Sequence, residues 1–302
     1  MSEIRLRSYS LLPPVVKNLL IINGIMYLAT EVFKTRGINL SEIFGLHFFT
    51  AQDFGIWQPI TYMFMHGNFG HLFFNMFALW IFGAAIENTW GQKRFLIYYF
   101  VCGIGAGIVQ QTVLWVELKD ILHSHIGMIN LEGVGIITKE NYINRFITVG
   151  ASGSVFGLLL AFGMMYPNAL IYVYFLLPIK AKWFVIIYGA LELIFGVAGT
   201  QDGIAHFAHL GGMLFGFFLI LYWNKKERFL PFKMPAFRKK KSRRYTVSSN
   251  YQYEPQHFTD EEHNYQKKQN EEKINHILDK ISKYGYDSLT REEKDFLFNQ
   301  KR

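Results

Sequence analysis

Apolar residues fall into six runs, at residues 15–34, 60–86, 95–116, 152–166, 183–200 and 204–223. A hydrocarbon core about 30 Å thick calls for about 20 apolar residues in a helix, and a helix satisfies its own backbone in the absence of water. The pattern therefore predicts an all-α fold, a polytopic membrane bundle of six transmembrane helices. The first run lies too far from the start of the chain, and lacks the small-residue cleavage site, for a signal peptide; it reads as an uncleaved first span. Two connections are unusual. Residues 35–57 carry Ile43, Phe44, Leu46, Phe48 and Phe49, apolar enough to dip into the interface. Residues 168–182 are too short for a crossing and return, and read as an interfacial connector.

The pattern changes after residue 223, where the chain becomes polar and charged. This gives four segments: a cytoplasmic N-terminus at 1–12, a six-helix membrane domain at 13–223, a basic linker at 224–259 and a small helical extension at 260–302. In the extension, Ile274, Ile277, Leu278 and Ile281 recur at helical spacing up to Gly285. Thr290 and Glu293 then form a capping-box pattern. Two such helices bury little surface by themselves, so a docking partner is expected for them.

Composition agrees with the pattern, at 51% hydrophobic and 17% aromatic. The single cysteine, Cys102, excludes an intramolecular disulfide framework and a Cys-rich zinc cluster. A net charge of +8 could suggest nucleic acid, but the basic cluster from Lys225 to Arg244 directly follows an apolar run. That placement suits an anionic lipid surface instead, and no nucleic-acid partner is expected. With the N-terminus inside, seventeen Lys and Arg fall on cytoplasmic segments against five on the opposite loops. By the positive-inside rule both termini are cytoplasmic.

Polar residues within the spans carry the candidate chemistry, because such groups are costly in lipid. The second span has His66, His71 and Asn75; the fourth opens with Gly150-Ala151-Ser152-Gly153; the sixth has His206 and His209. At about 1.5 Å per residue, Ser152, His209 and His71 each lie about 20 Å from the cytoplasmic ends of their spans, and so share one depth. A helix starting at Ser152 inside the membrane would direct free N–H groups towards developing negative charge. Gly153 and Gly157, like Gly212 and Gly216, are spaced for close packing of spans four and six, which would carry His209 towards Ser152. A serine hydroxyl needs a neighbouring base to become a nucleophile, and His71, Asn75 and the Ser152 backbone N–H could donate to an oxyanion. No carboxylate is clearly placed to orient His209, so the expectation is a Ser152/His209 dyad. Glu192, inside span five, has no role in this reading.

The stretch Thr61 to Asn75, TYMFMHGNFGHLFFN, with Glu87-x-x-x-Gly91, Gly150-Ala151-Ser152-Gly153 and Ala208-His209-x-x-Gly212-x-x-x-Gly216, resembles the rhomboid intramembrane serine proteases of the bacterial six-span type. The resemblance covers residues 13–223. It implies cleavage of transmembrane protein substrates within or beside their spans, no cofactor, and a bacterial inner-membrane location. It also implies Ser152 as nucleophile, His209 as base and His71 and Asn75 as oxyanion donors, with Gly150 and Phe156 bordering the substrate. Two departures stand out. Trp57-Gln58 occurs where many members have Trp-Arg, and Phe156 occurs where a tyrosine commonly packs on the histidine. Other functions for the polar layer are a non-catalytic membrane-protein binder, which the intact serine and histidine oppose, and a metal site built from His66, His71, His206 and His209. No H-E-x-x-H pattern or partnering carboxylate supports a metal site.

Overall fold

The computed structural model describes residues 9–125, 127–131, 135–173, 176–199, 204–227, 273–285, 288–290, 292–294 and 296. In chain order the elements are α1 (Pro14–Lys34), α2 (Leu40–Phe44), β1 (Leu46–His47), α3 (Gln58–Thr61), α4 (Phe69–Ala78), α5 (Ala84–Trp90), α6 (Gln92–His123), β2 (Met128–Leu131), β3 (Gly135–Thr138), α7 (Lys139–Asn144), β4 (Ile147–Thr148), α8 (Ser152–Met165), β5 (Leu170–Val173), β6 (Leu177–Lys180), α9 (Ala181–Ala198) and α10 (His206–Glu227). The fold is a helical bundle, with, among the described residues, three two-stranded antiparallel pairings confined to the connections. The connector at 168–182 is one of these, the β5–β6 hairpin.

Among the described residues, five helical stretches are long and apolar enough to cross a membrane, and α8, at Ser152–Met165, is a shorter apolar helix. The outer surface is apolar, unlike that of a water-soluble protein. Ile21, Ile25 and Leu28 of α1, Phe73 and Phe74 of α4, and Ile186, Ile187 and Ile194 of α9 face outward, whereas Asn23, Asn75, Glu87, Ser154, Glu192, His206 and His209 are buried. Outward apolar faces, with polar groups kept inside an otherwise apolar core, are what a lipid solvent selects; the protein is an integral, multi-pass membrane protein.

The second apolar run is not one helix from residue 60. Gln58–Thr61 forms α3, Tyr62–Phe64 a 3₁₀ turn, and the spanning helix begins at Phe69. Asn68 makes the break: its side chain accepts from the His71 N–H at 2.8 Å, an N-cap that starts a new helix. From there α4 passes through a π turn at Leu79–Gly83 into α5. The third span extends past the apolar run to His123.

The core is built where α6, α8 and α10 meet, through glycines. A methyl group on Gly212 would overlap the backbone carbonyl of Gly153, so α8 and α10 touch main chain to main chain. One on Gly153 would overlap Ala106, and one on Gly157 would overlap Cys102. Gly216 leaves room for Tyr98, whose hydroxyl donates to the Gly157 carbonyl at 2.8 Å. In a solvent as apolar as the side chains, such close approach is the main source of helix association.

The segment 35–57 is fastened to the bundle by buried polar contacts. Gln58, 1% exposed, accepts from the His47 N–H at 3.1 Å and donates to the Asp53 carbonyl at 2.8 Å. Trp57 Nε1 donates to the Ile43 carbonyl at 3.0 Å, and Thr61 Oγ1 to that of Phe44 at 2.7 Å. Gln58 thus anchors this loop as a neutral residue where many resembling sequences carry arginine. β1 then pairs with β4, Leu46 opposite Thr148 and His47 opposite Ile147.

Two compact units divide at Ala236 and Phe237. In the C-terminal unit residues 273–284 are helical, with Ile277 and Leu289 buried. The capping box forms: Thr290 N–H donates to Glu293 at 2.8 Å, and Glu293 N–H to Thr290 Oγ1 at 3.3 Å. The Thr290 backbone N–H, and then the Lys280 ammonium, hold the Glu293 carboxyl below its usual range. The expected linker lies almost entirely outside the described residues, as does the first part of the helix expected from residue 260.

Candidate active site

β4 leads directly into the serine. After Thr148 the backbone turns at Gly150, with φ +128°, a region closed to most side chains, and its N–H donates to the Tyr62 carbonyl at 2.9 Å. A methyl group there would also sit 2.8 Å from His71 Nε2 and 3.6 Å from Ser152 Oγ. Gly150 therefore opens the space between these two side chains. Ser152 is the first residue of α8, so the unpaired N–H groups of that helix end gather around it.

His209 lies in the first turn of α10, 8% exposed. Its Nε2 is 2.9 Å from Ser152 Oγ. The Phe156 ring stacks on the imidazole, with centroids 4.2 Å apart and planes within 7°. The aromatic contact expected on the histidine is thus made without a hydroxyl. His71 stands across from Ser152, and His66 packs edge-on against it, ring centroids 5.1 Å apart. Asn75 is buried one turn below; its amide donates to the His71 carbonyl at 2.8 Å, which leaves a second N–H of that group available.

The expectation that no carboxylate reaches His209 is corrected. Glu192 Oε2 lies 2.8 Å from His209 Nδ1 and 2.7 Å from His206 Nδ1. Glu192 comes from α9 and both histidines from α10, helices adjacent in sequence and packed against each other. The sequence did contain a signal: a carboxylate in a membrane span needs a partner, and His206 and His209, three apart, share a helix face. The four histidines considered as metal ligands do not form the set that assembles. Among the described residues, Glu192, His206 and His209 do, with ligand atoms within 4.8 Å of one another, a donor set of the kind that holds a divalent ion.

Residues 53–226 match the rhomboid domain family, and residues 259–299 match DUF6576, a family of unknown function. The chain is 29% identical over 213 residues to rhomboid-like protein 11, chloroplastic, of Arabidopsis thaliana, covering 68% of this chain and 63% of that protein. It is 30% identical over 164 residues to RHOMBOID-like protein 6, mitochondrial, of the same plant, covering 54% and 42%. It is 27% identical over 214 residues to the rhomboid protease AarA of Providencia stuartii, covering 66% and 68%.

Proposed function

The chain belongs to the rhomboid family, and from that premise we propose that it is an intramembrane serine endopeptidase cleaving membrane proteins within or next to their transmembrane segments. The observation that carries this reading is the 2.9 Å contact between Ser152 Oγ and His209 Nε2 at the buried start of α8. In this reading His209 takes the hydroxyl proton as Oγ attacks the scissile carbonyl. The negative charge on the carbonyl oxygen is met by the Ser152 backbone N–H, His71 and the free N–H of Asn75, and by the end of α8. His209 then gives its proton to the departing amine, and water repeats the sequence to release the acyl group from Oγ. Gly150 keeps the substrate path open and Phe156 holds the imidazole plane. The reaction needs no cofactor.

The Lys- and Arg-rich connections face the cytoplasm, with both termini on that side and the Ser152 layer nearer the opposite surface. In a bacterium this is the inner membrane.

Fluorophosphonate labelling of membranes tests the reading. The wild type should be labelled and should cut a panel of transmembrane substrates, with Ser152→Ala losing both, cleavage by at least about 10⁴-fold. Labelling that persists in Ser152→Ala would reject this nucleophile.

A further inference from the structure

Glu192 is the group that the chemistry above does not use. It is 9% exposed on α9, a helix most of whose large side chains face outward, and a carboxylate there is costly unless its charge is met. Both of its described polar contacts are histidine Nδ1 atoms, and both fall on one oxygen, at 2.7 Å from His206 and 2.8 Å from His209. These separations are those of charge-assisted hydrogen bonds. They are shorter than the edge of roughly 3.3 Å between ligand atoms that a tetrahedral ion with bonds near 2.0 Å would impose, so hydrogen bonding accounts for the cluster better than ligation.

A carboxylate oxygen can only accept, so each Nδ1 must carry the proton. For His209 this has a direct consequence. With the proton on Nδ1, the neutral ring has its lone pair on Nε2, the atom that faces Ser152 Oγ at 2.9 Å. Nε2 must be bare to receive the serine proton. The opposite tautomer would point an N–H at the hydroxyl and leave Nδ1 without a proton for the carboxylate. When Nε2 is protonated, the new imidazolium charge also lies against a fixed anion in a site of low dielectric, where such compensation is strong. His206 supplies what a single contact would not. It holds the same oxygen from a second direction, and Phe195, from the helix that bears Glu192, packs on its ring with centroids 5.7 Å apart. The carboxylate is thereby held in one rotamer.

We propose that Glu192 is a positioning residue, held in place by His206, that sets the tautomer and orientation of His209. The site then works as the linear array Ser152, His209, Glu192, His206 and not as a two-residue dyad. This inference rests on the reading of Ser152 and His209 as nucleophile and base.

The test uses the full chain in lipid bilayers and one probe, a fluorophosphonate. In its reaction Oγ forms a bond to phosphorus, the phosphorus–fluorine bond breaks, fluoride leaves and His209 accepts the hydroxyl proton. Saturation kinetics separate the maximal labelling rate from probe affinity, and a purely structural lesion would not move the first alone. Glu192→Gln, nearly identical in shape, should lower the maximal rate on the order of 10²-fold while affinity stays within about twofold. His206→Phe should lower it by about tenfold, and His206→Gln, which still offers an N–H, should recover most of that loss. Wild-type rates in Glu192→Gln overturn the proposal while leaving Ser152 as the labelled residue. Rate losses in Glu192→Gln and His206→Phe that come with matching losses of thermal stability overturn it too, because they assign the cluster to folding. Absence of labelling in the wild type itself would instead strike at the nucleophile.

Discussion

α9 and α10 follow one another in the chain, yet the bundle treats them differently. The spanning window of α9 has mean hydropathy 1.7 and is 17% buried, whereas that of α10 has 1.4 and is 39% buried. The more apolar helix is the less enclosed. In lipid, hydropathy measures how readily a helix leaves water, and says little about which helices it packs against. Small residues decide that. α10 carries Gly211, Gly212 and Gly216 against α6 and α8, whereas α9 turns branched and aromatic side chains outward. α9 reaches the site with large side chains, Glu192 on both histidines, Tyr188 on Phe156 and Phe195 on His206, and α10 meets α6 and α8 through a glycine face.

The contrast can be broken most sharply at Gly212. In Gly212→Val the new side chain would overlap the Gly153 carbonyl, forcing α8 and α10 apart and stretching the Ser152–His209 contact. Displacement of reacting groups by about 1 Å costs on the order of 10²-fold in rate, so cleavage and fluorophosphonate labelling should fall by at least that much, together with thermal stability in detergent. Gln58→Ala comes next. It leaves the His47 N–H and the Asp53 carbonyl without their buried partner, at a cost of about 1–3 kcal/mol, readable as a lowered unfolding midpoint. At the other extreme, Ile187→Ala on the outward face of α9 should change stability by no more than about 0.5 kcal/mol. A larger loss on thermal unfolding would mean that this outward face of α9 packs against protein.

Much of this was legible in the chain. Each of the six apolar runs contains a helix among the described residues, the second only from Phe69 and the fourth a short one, and the glycines of GASG and of H-x-x-G-x-x-x-G are the residues through which α8 and α10 meet. Ser152 and His209 are in contact, as their common depth and those spacings anticipate. Three things were harder to read. The run from residue 60 hides the break at Gly67-Asn68, because hydropathy does not register a turn; Asn68 as an N-cap was the available signal. The third span outlasts its apolar run because hydropathy does not measure helix propensity: Glu117 and Lys119 extend a helix about as readily as leucine does. The pairing of Glu192 with His206 and His209 depends on how α9 is rotated about its axis. Ala181, Val185, Gly189, Glu192 and Gly196 recur at helical spacing on the inward side of α9, yet such a stripe does not say which neighbour Glu192 meets.

The pairing of β1 with β4 acts as a clasp. It fixes the chain two residues ahead of Gly150 to the segment that Gln58 and Gln111 tie down, so the register of the serine turn is set after the excursion from α6 and independently of its length. The β2–β3 hairpin and α7 lie upstream of that clasp. α7 is itself seated, with Ile143 buried beside Phe48 and Leu118 and Asn144 bonded to Asp53, which leaves the β2–β3 pairing as a stretch where new surface can be added while the reacting atoms stay in place.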